Sequence, residues 1–324
     1  MRVADLTEEE LLARIVPELP GGDATLVGPG DDAAVLAAPD GRYVVTTDVL
    51  VEDRHFRRAW SSGADLGRRA AVQNLADVAA MGAVPTALVV TLAVPGDLAV
   101  DWVVGIARGL AHVCAPLGVG VVGGDLSGAP VVVVGVTAHG DLAGRAPVLR
   151  SGARPGDVVA HAGVLGRSAA GLALLDGSVA DPDPVLVAAY LRPSSPLAAG
   201  PAAARAGATA MLDVSDGLLR DAGRLARASG VRVDLAASAL RGSVDELRDA
   251  ARRVGADPWA WVLGGGEDHG LLAAFPADVP LPDPFRAIGT VVPADPATAD
   301  VTVDGAPARV GPGWDHFAGG QPRR

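Results

Sequence analysis

No lysine occurs anywhere in the 324 residues, so arginine and histidine are the only basic side chains. A Walker phosphate loop ends on a lysine that touches the phosphates, and it is therefore excluded. Cys114 is the only cysteine, which rules out an intramolecular disulfide and a thiolate metal cluster and agrees with a reducing compartment. It lies in the apolar stretch 102–117 and is read as a core residue. Positive charge is in deficit: 27 basic against 38 acidic residues give a net charge of −11. General attraction to nucleic acid or to an anionic membrane is disfavoured, and a phosphate ligand needs local help, for which metal ions are the natural neutralisers. Long apolar runs are missing as well. The run 131–136 is broken by glycine well short of the ~18 residues that a spanning helix requires. The opening Met1-Arg2-Val3-Ala4-Asp5 has no basic and apolar export pattern. The expectation is a soluble, cytoplasmic chain with neither nucleic-acid nor membrane partners.

What is present is 49% hydrophobic residues, enough for one or two substantial cores. Thr7-Glu8-Glu9-Glu10 has the spacing of a capping box and opens a helix that Pro17 and Pro20 end. Strands are expected at 34–36, 43–47, 86–94, 119–122 and 131–139, with helices at 65–81 and 100–117 between them. Between 140 and 156 the composition shifts to Gly, Pro, Ala and Arg, including Arg145, Arg150 and Arg154, and the domain boundary is placed near 145. A second unit follows, with strands at 157–162, 209–212, 231–235, 271–275, 286–292 and 301–303. Helices are expected at 168–175, 218–229, 244–254 and 258–263, with an alanine-rich helical region over 184–206. The fold class is α/β or α+β, with domains 1–144 and 145–318 and a disordered tail 319–324.

The chemistry gathers around 28–56. Gly28-Pro29-Gly30-Asp31-Asp32-Ala33 fits the dinucleotide fingerprint in letters only, because no helix follows and acids stand where a pyrophosphate would be repelled. An apolar strand then leads through Thr46-Thr47 to Asp48 and on to Asp53-Arg54-His55-Phe56. On the helix 65–81, Ala70, Gln73, Asn74 and Asp77 share one face. Asp125 follows a glycine pair, and Asp213 and Asp216 close another strand. One such aspartate is an ordinary turn former or helix cap. Six of them (Asp32, Asp48, Asp77, Asp125, Asp213, Asp216) would repel one another if they converged without divalent cations between them. Mg²⁺ suits one or two carboxylates together with substrate phosphate oxygens. No Ser-His-Asp spacing or nucleophile elbow stands out.

In order and spacing, several segments together resemble the thiamine-monophosphate kinase family. They are Gly30-Asp31-Asp32, Thr46-Thr47-Asp48, His55-Phe56, Asn74-Leu75-Ala76-Asp77, Gly123-Gly124-Asp125, the stretch from Arg150 to Asp157, Asp213-Val214-Ser215-Asp216-Gly217, Gly265-Gly266-Glu267-Asp268 and Trp314-Asp315-His316-Phe317. The resemblance implies membership of the aminoimidazole ribonucleotide synthetase-like superfamily. It implies a two-domain fold whose N-terminal mixed sheets pair across a homodimer into a barrel-like core, beside a C-terminal α/β domain. It implies direct transfer of the ATP γ-phosphoryl group to thiamine monophosphate, the last step towards thiamine diphosphate.

By the same resemblance Asp32, Thr46, Thr47, Asp48, Asp77, Asp125, Asp213 and Asp216 hold several Mg²⁺ ions. Gly124, Asp125, Arg150 and Ser215 meet ATP, and His55, Glu267 and Trp314 meet thiamine monophosphate. No general base is called for. The chain departs from the family where His269-Gly270 follows Asp268 in place of the usual tyrosine and a polar residue. The alternatives are another ATP-using member of the superfamily, or a non-catalytic nucleotide or thiamine-phosphate binding protein. A selenophosphate synthetase would carry a reactive N-terminal Cys or selenocysteine, and the hydrogenase maturation member a C-terminal Cys.

Overall fold

The computed structural model describes residues 1–29, 33–295, 297–311 and 313. The chain forms two compact units. Among the described residues the first holds Met1–Val78 and Ala83–Gly144, and the second holds Ala79–Gly82 and the residues from 145 to 313.

In the first unit α1 (Glu8–Ile15) starts on the expected box. The Thr7 hydroxyl accepts the Glu10 N–H, and the Glu10 carboxylate accepts the Thr7 N–H at 2.8 Å. Such a cap stabilises a helix end by about 1 kcal/mol. A short hairpin of β1 (Thr25–Val27) and β2 (Val35–Leu36) precedes β3 (Val44–Val51). Then come α2 (Gly63–Ala80), β4 (Val84–Val94), α3 (Val100–Cys114), β5 (Gly120–Gly128) and β6 (Val133–Asp141). The sheet order is β3-β6-β4-β5, with β4 and β5 parallel across the α3 crossover and the other pairs antiparallel. On β6 Val134, Val136 and Ala138 are buried while Gly135, Thr137 and His139 are not, so helices cover one face of the sheet. The other face carries Val45 and Val49, 55% and 47% exposed.

Two strands run further than expected. β3 continues past Asp48, and β5 past Asp125 to Gly128, so neither acid lies at a strand end. Polar or glycine residues interrupt the apolar pattern at Thr46-Thr47-Asp48 and at Gly123-Gly124-Asp125, but pairing with a neighbouring strand carries the backbone on, and only the fold supplies that neighbour. By length and mean hydropathy (1.2), Val100–Leu117 is long and apolar enough to cross a membrane. Here Val103, Ile106 and Leu110 pack inside the unit, while Arg108 pairs outward with Glu18 at 3.1 Å, the arrangement of a core helix.

The second unit contains β7 (Val158–Ala162), α4 (Arg167–Asp176), α5 (Pro184–Leu191), α6 (Ala199–Arg205), β8 (Ala210–Val214), α7 (Leu218–Ser229) and β9 (Val231–Leu235). It continues with α8 (Ala237–Val254), α9 (Pro258–Gly264), β10 (Gly270–Phe275), β11 (Arg286–Pro293), β12 (Val301–Val303) and β13 (Ala306–Pro307). The sheet order is β13-β12-β9-β11-β7-β10-β8, antiparallel except for β12 beside β9. Every residue of β8 and β10 is buried because apolar layers cover both faces. Leu218, Leu225, Val244 and Leu247 of α7 and α8 belong to one layer, and Ala199, Ala203 and Phe285 to the other.

The expected helical region 184–206 is two helices, since Pro193 and Pro196 interrupt it. α8 begins before 244, where Asp304 accepts the Ala237 N–H at 3.1 Å. That capping contact from 67 residues away has no local signature. Asp213, like Asp48 and Asp125, lies inside a strand.

Candidate active site

In the first unit strand alternation sorts the oxygen donors. Thr46 and Asp48 pair with Ala138 and Val136, on the face of the sheet that the helices cover. Thr46 donates its hydroxyl to Asp77 Oδ2 of α2 at 2.9 Å, tying strand to helix. One turn before Asp77, Asn74 is wholly buried; its amide donates to Ala70 O at 2.9 Å, and its Oδ1 has no hydrogen-bond partner. With Ala70 and Gln73 buried too, the polar stripe of α2 is an interior feature.

Thr47 points to the opposite face, where its hydroxyl donates to Val136 O at 2.9 Å, so its side chain does not join Thr46 and Asp48. Asp125 pairs with Thr91, which pairs with Gly135, which pairs with Val49. It lies on the far edge strand, three strand spacings or roughly 14 Å from β3. Gly124 precedes it, and both are exposed. His55 follows β3 in a tight loop in which Asp53 has φ +63°. The Val51 N–H donates to His55 Nδ1 at 3.0 Å, which leaves Nε2 as the protonated nitrogen of a neutral ring.

In the second unit a loop lies against the end of β8. Glu267 N–H donates to Ser215 O at 2.8 Å and His269 N–H to Val214 O at 3.1 Å. Residue 266 must be glycine for this pairing, since a Cβ there would stand 2.4 Å from Ser215 O. Glu267 and His269 both have positive φ, +68° and +51°, conformations that cost of order 1 kcal/mol each and gather at functional sites.

Between them Asp268 turns inward and accepts the N–H groups of Gly166 and Ser168 at the start of α4. Burial pushes its carboxyl up to about 7 against the pull of those two donors. The His269 ring stands between two carboxylates, with Nδ1 3.4 Å from Asp213 Oδ2 and Nε2 3.7 Å from Glu267 Oε2. Burial opposes the imidazolium, but the two carboxylates outweigh it and raise the ring to about 10.

The replacement at 270 has a steric reason. A Cβ there would meet His161 Nε2 at 2.4 Å. His161 is buried without a partner for that nitrogen, and burial depresses it to about 4.

Asp216 is held twice. Its N–H donates to Asp221 Oδ2 at 2.9 Å, and Arg224 reaches Asp216 Oδ2 and Asp221 Oδ1 at 2.6 Å each. Asp221 is fully buried, and burial lifts its carboxyl to about 6. Sequence reasoning missed Asp221, Arg224 and the bridge made by His269. The signal for the first two was available: Asp221 and Arg224 are three apart on the helix that begins just after Asp216. Arg150 is exposed, and its carbonyl accepts from Ser229 Oγ. Asp32 and Trp314 lie outside the described residues. Gly313 is placed where a Cβ would be 2.2 Å from Asp216 O.

Among the described residues no group of three His, Cys, Asp or Glu side chains is assembled as a metal site. The donors present are nonetheless hard oxygens, and the linked pair Thr46 and Asp77 with Asp48 on the same face fits Mg²⁺, which completes its shell with waters and phosphate oxygens.

Residues 30–142 match the AIR synthase related protein, N-terminal domain, and residues 154–278 match its C-terminal domain. Fold and site thus define a two-domain AIR synthase related protein. The thiamine-monophosphate kinase of Mycobacterium tuberculosis is 50% identical over 292 residues, 90% of this chain and 86% of that protein. The crystal structure of thiamine monophosphate kinase from Aquifex aeolicus is similar with a TM-score of 0.76 at 30% identity, over 95% of this chain and 99% of that one. AaThiL complexed with AMPPCP and TMP gives a TM-score of 0.77 at 31% identity, over 98% and 99%. The chain belongs to the thiamine-monophosphate kinase family.

Proposed function

We propose that the chain transfers the γ-phosphoryl group of ATP to thiamine monophosphate by direct in-line displacement. A phosphate oxygen of thiamine monophosphate bonds to Pγ, the bond from Pγ to the β,γ-bridging oxygen breaks, and ADP leaves. The supporting observation is the likeness, over almost the whole chain, to AaThiL complexed with AMPPCP and TMP. The nucleophile is already an anion, so positioning and charge neutralisation dominate and no general base is required.

Thr46, Asp48 and Asp77, with Asp32, Thr47 and Asp125, are the Mg²⁺ ligands of the first unit, and Asp213 and Asp216 those of the second. Thr47 would act through its backbone, given where its hydroxyl points. Bound Mg²⁺ supplies charge neutralisation between the two anionic substrates. Gly124, Asp125, Ser215 and Arg150 contact ATP. Arg150 offers a planar, permanently charged fork for a phosphate. His55, Glu267 and Trp314 contact thiamine monophosphate, the indole stacking on its cationic ring.

Two copies pair through the open face of the first unit's sheet. Exposed Val45 and Val49 support this, as does the distance between Asp125 and β3 within one chain. The working compartment is the cytoplasm.

Incubation of the purified chain with Mg²⁺, ATP and thiamine monophosphate should give thiamine diphosphate and ADP one to one by chromatography. Inorganic phosphate without thiamine diphosphate overturns the reading.

A further inference from the structure

We propose that His269 is a positioning residue of the kinase reaction, tying the interior Asp213 carboxylate to the Glu267 carboxylate and setting the direction in which Glu267 meets thiamine monophosphate. The proposal rests on the reading of Glu267 as a substrate contact. Glu267 is 37% exposed, whereas the His269 ring and Asp213 are both buried, at 5% and 6%. The ring is the link between an outer carboxylate and an inner one.

Its two nitrogens lie on different edges: Nδ1 is within hydrogen-bond distance of Asp213 at 3.4 Å, and Nε2 stands in ion-pair range of Glu267 at 3.7 Å, beyond hydrogen-bond distance. A tyrosine, usual at this place in the family, has one polar atom and serves one carboxylate at a time. The backbone leaves the ring little choice. Residues 267 and 269 are both pinned to the end of β8 by their N–H groups, and both sit at positive φ. Glu267 therefore projects from a fixed anchor, and its remaining freedom is its own side chain, which is costly to hold in one geometry unless a partner faces it.

Two exchanges separate the two arms of the ring. Asparagine places its amide nitrogen where Nδ1 stands and keeps the Asp213 arm alone, whereas glutamine reaches to Nε2 and keeps the Glu267 arm. In H269N the KM for thiamine monophosphate should rise about three- to fivefold, the size of one partly exposed ion-pair contact, with the KM for ATP changing less than twofold. Calorimetric binding of thiamine monophosphate in the presence of a non-transferable ATP analogue should weaken by the same factor. H269Q should lose clearly less affinity than H269N. E267Q should raise the same KM, and H269N/E267Q should be no worse than E267Q alone.

Additive losses in the double variant, or equal rises in both KM values in H269N and H269Q, overturn the proposal. An unchanged KM in E267Q instead removes the Glu267 assignment, and the proposal with it. Should H269N lose its cooperative thermal transition, H269Q carries the test alone: it must remain coupled to E267Q, and additivity there overturns the proposal.

Discussion

Thr46 donates its hydroxyl hydrogen to Asp77 Oδ2 at 2.9 Å, so a strand residue and a helix residue 31 positions apart in sequence present a joined pair of oxygen donors. Asp77→Asn removes a charge from that pair and should lower thiamine diphosphate formation at least a hundredfold. Thr46→Val removes the proposed ligand hydroxyl and its hydrogen bond to the carboxylate but leaves the charge in place, and about tenfold is expected, the range for a hydrogen bond to a charged group. Both are measured as turnover by chromatography at saturating ATP. Equal losses in the two variants would mean that the Asp77 charge adds nothing beyond what the Thr46 hydroxyl supplies, against the proposed ligand set.

Asp268 makes stability depend on pH. Burial raises its carboxyl to about 7 in the folded chain, above the ordinary value of 3.8. Between those values the folded chain holds a proton that the unfolded chain has released. The contribution is therefore fully present below about pH 4 and is lost as pH rises to about 7, a total of about 2–4 kcal/mol. Asp268→Asn cannot titrate. The melting temperature of the wild type should fall relative to that of this variant as pH rises from 5 to 8; a relative rise would contradict the assignment.

The open sheet face predicts the assembly. Val49, 47% exposed in the single chain, should be covered in the proposed homodimer. Val49→Asp places a charge there, which costs several kcal/mol once desolvated. Sedimentation should show a monomer at concentrations where the wild type is a dimer, with the melting of the isolated chain little changed. A dimer that survives the charge would place the interface elsewhere.

Gly270 tests the steric account of the unusual residue pair. Gly270→Ala brings a methyl to 2.4 Å from His161 Nε2 and should destabilise the chain by about 1–3 kcal/mol, the usual range for overpacking. His161→Ala should relieve only part of that loss in the double variant, because the Ala162 carbonyl oxygen still stands 2.7 Å from the new methyl. Chemical denaturation of the four proteins gives the coupling, and strict additivity would mean that the clash is relaxed by other means.

Much of the fold was legible because its signals are local. The capping box at Thr7, the helix from Leu218 to Ser229 and the strand from Val231 to Leu235 fall where periodicity and turn residues put them. The misjudged ends share a cause. β5 runs on through Gly123-Gly124-Asp125 because β4 pairs with it to Gly128, and α8 starts early because Asp304 caps it from far along the chain. Both depend on residues that no window around the site contains.

The candidate site divides in the same way. Composition alone restricted the chemistry: without lysine and with one buried thiol, phosphate charge must be met by arginine, backbone or metal ions, and the aspartates beside glycine, threonine and serine named the oxygen donors. Which donors stand together was decided by tertiary structure. Alternation along β3 sends Thr46 and Asp48 to one face and Thr47 to the other, and strand order sends Asp125 to the far edge. A loop pinned to the end of β8 sets His269 between Asp213 and Glu267. Residue type is a property of the chain, whereas proximity is created by pairing and packing between segments far apart in it, and only the folded arrangement contains that information.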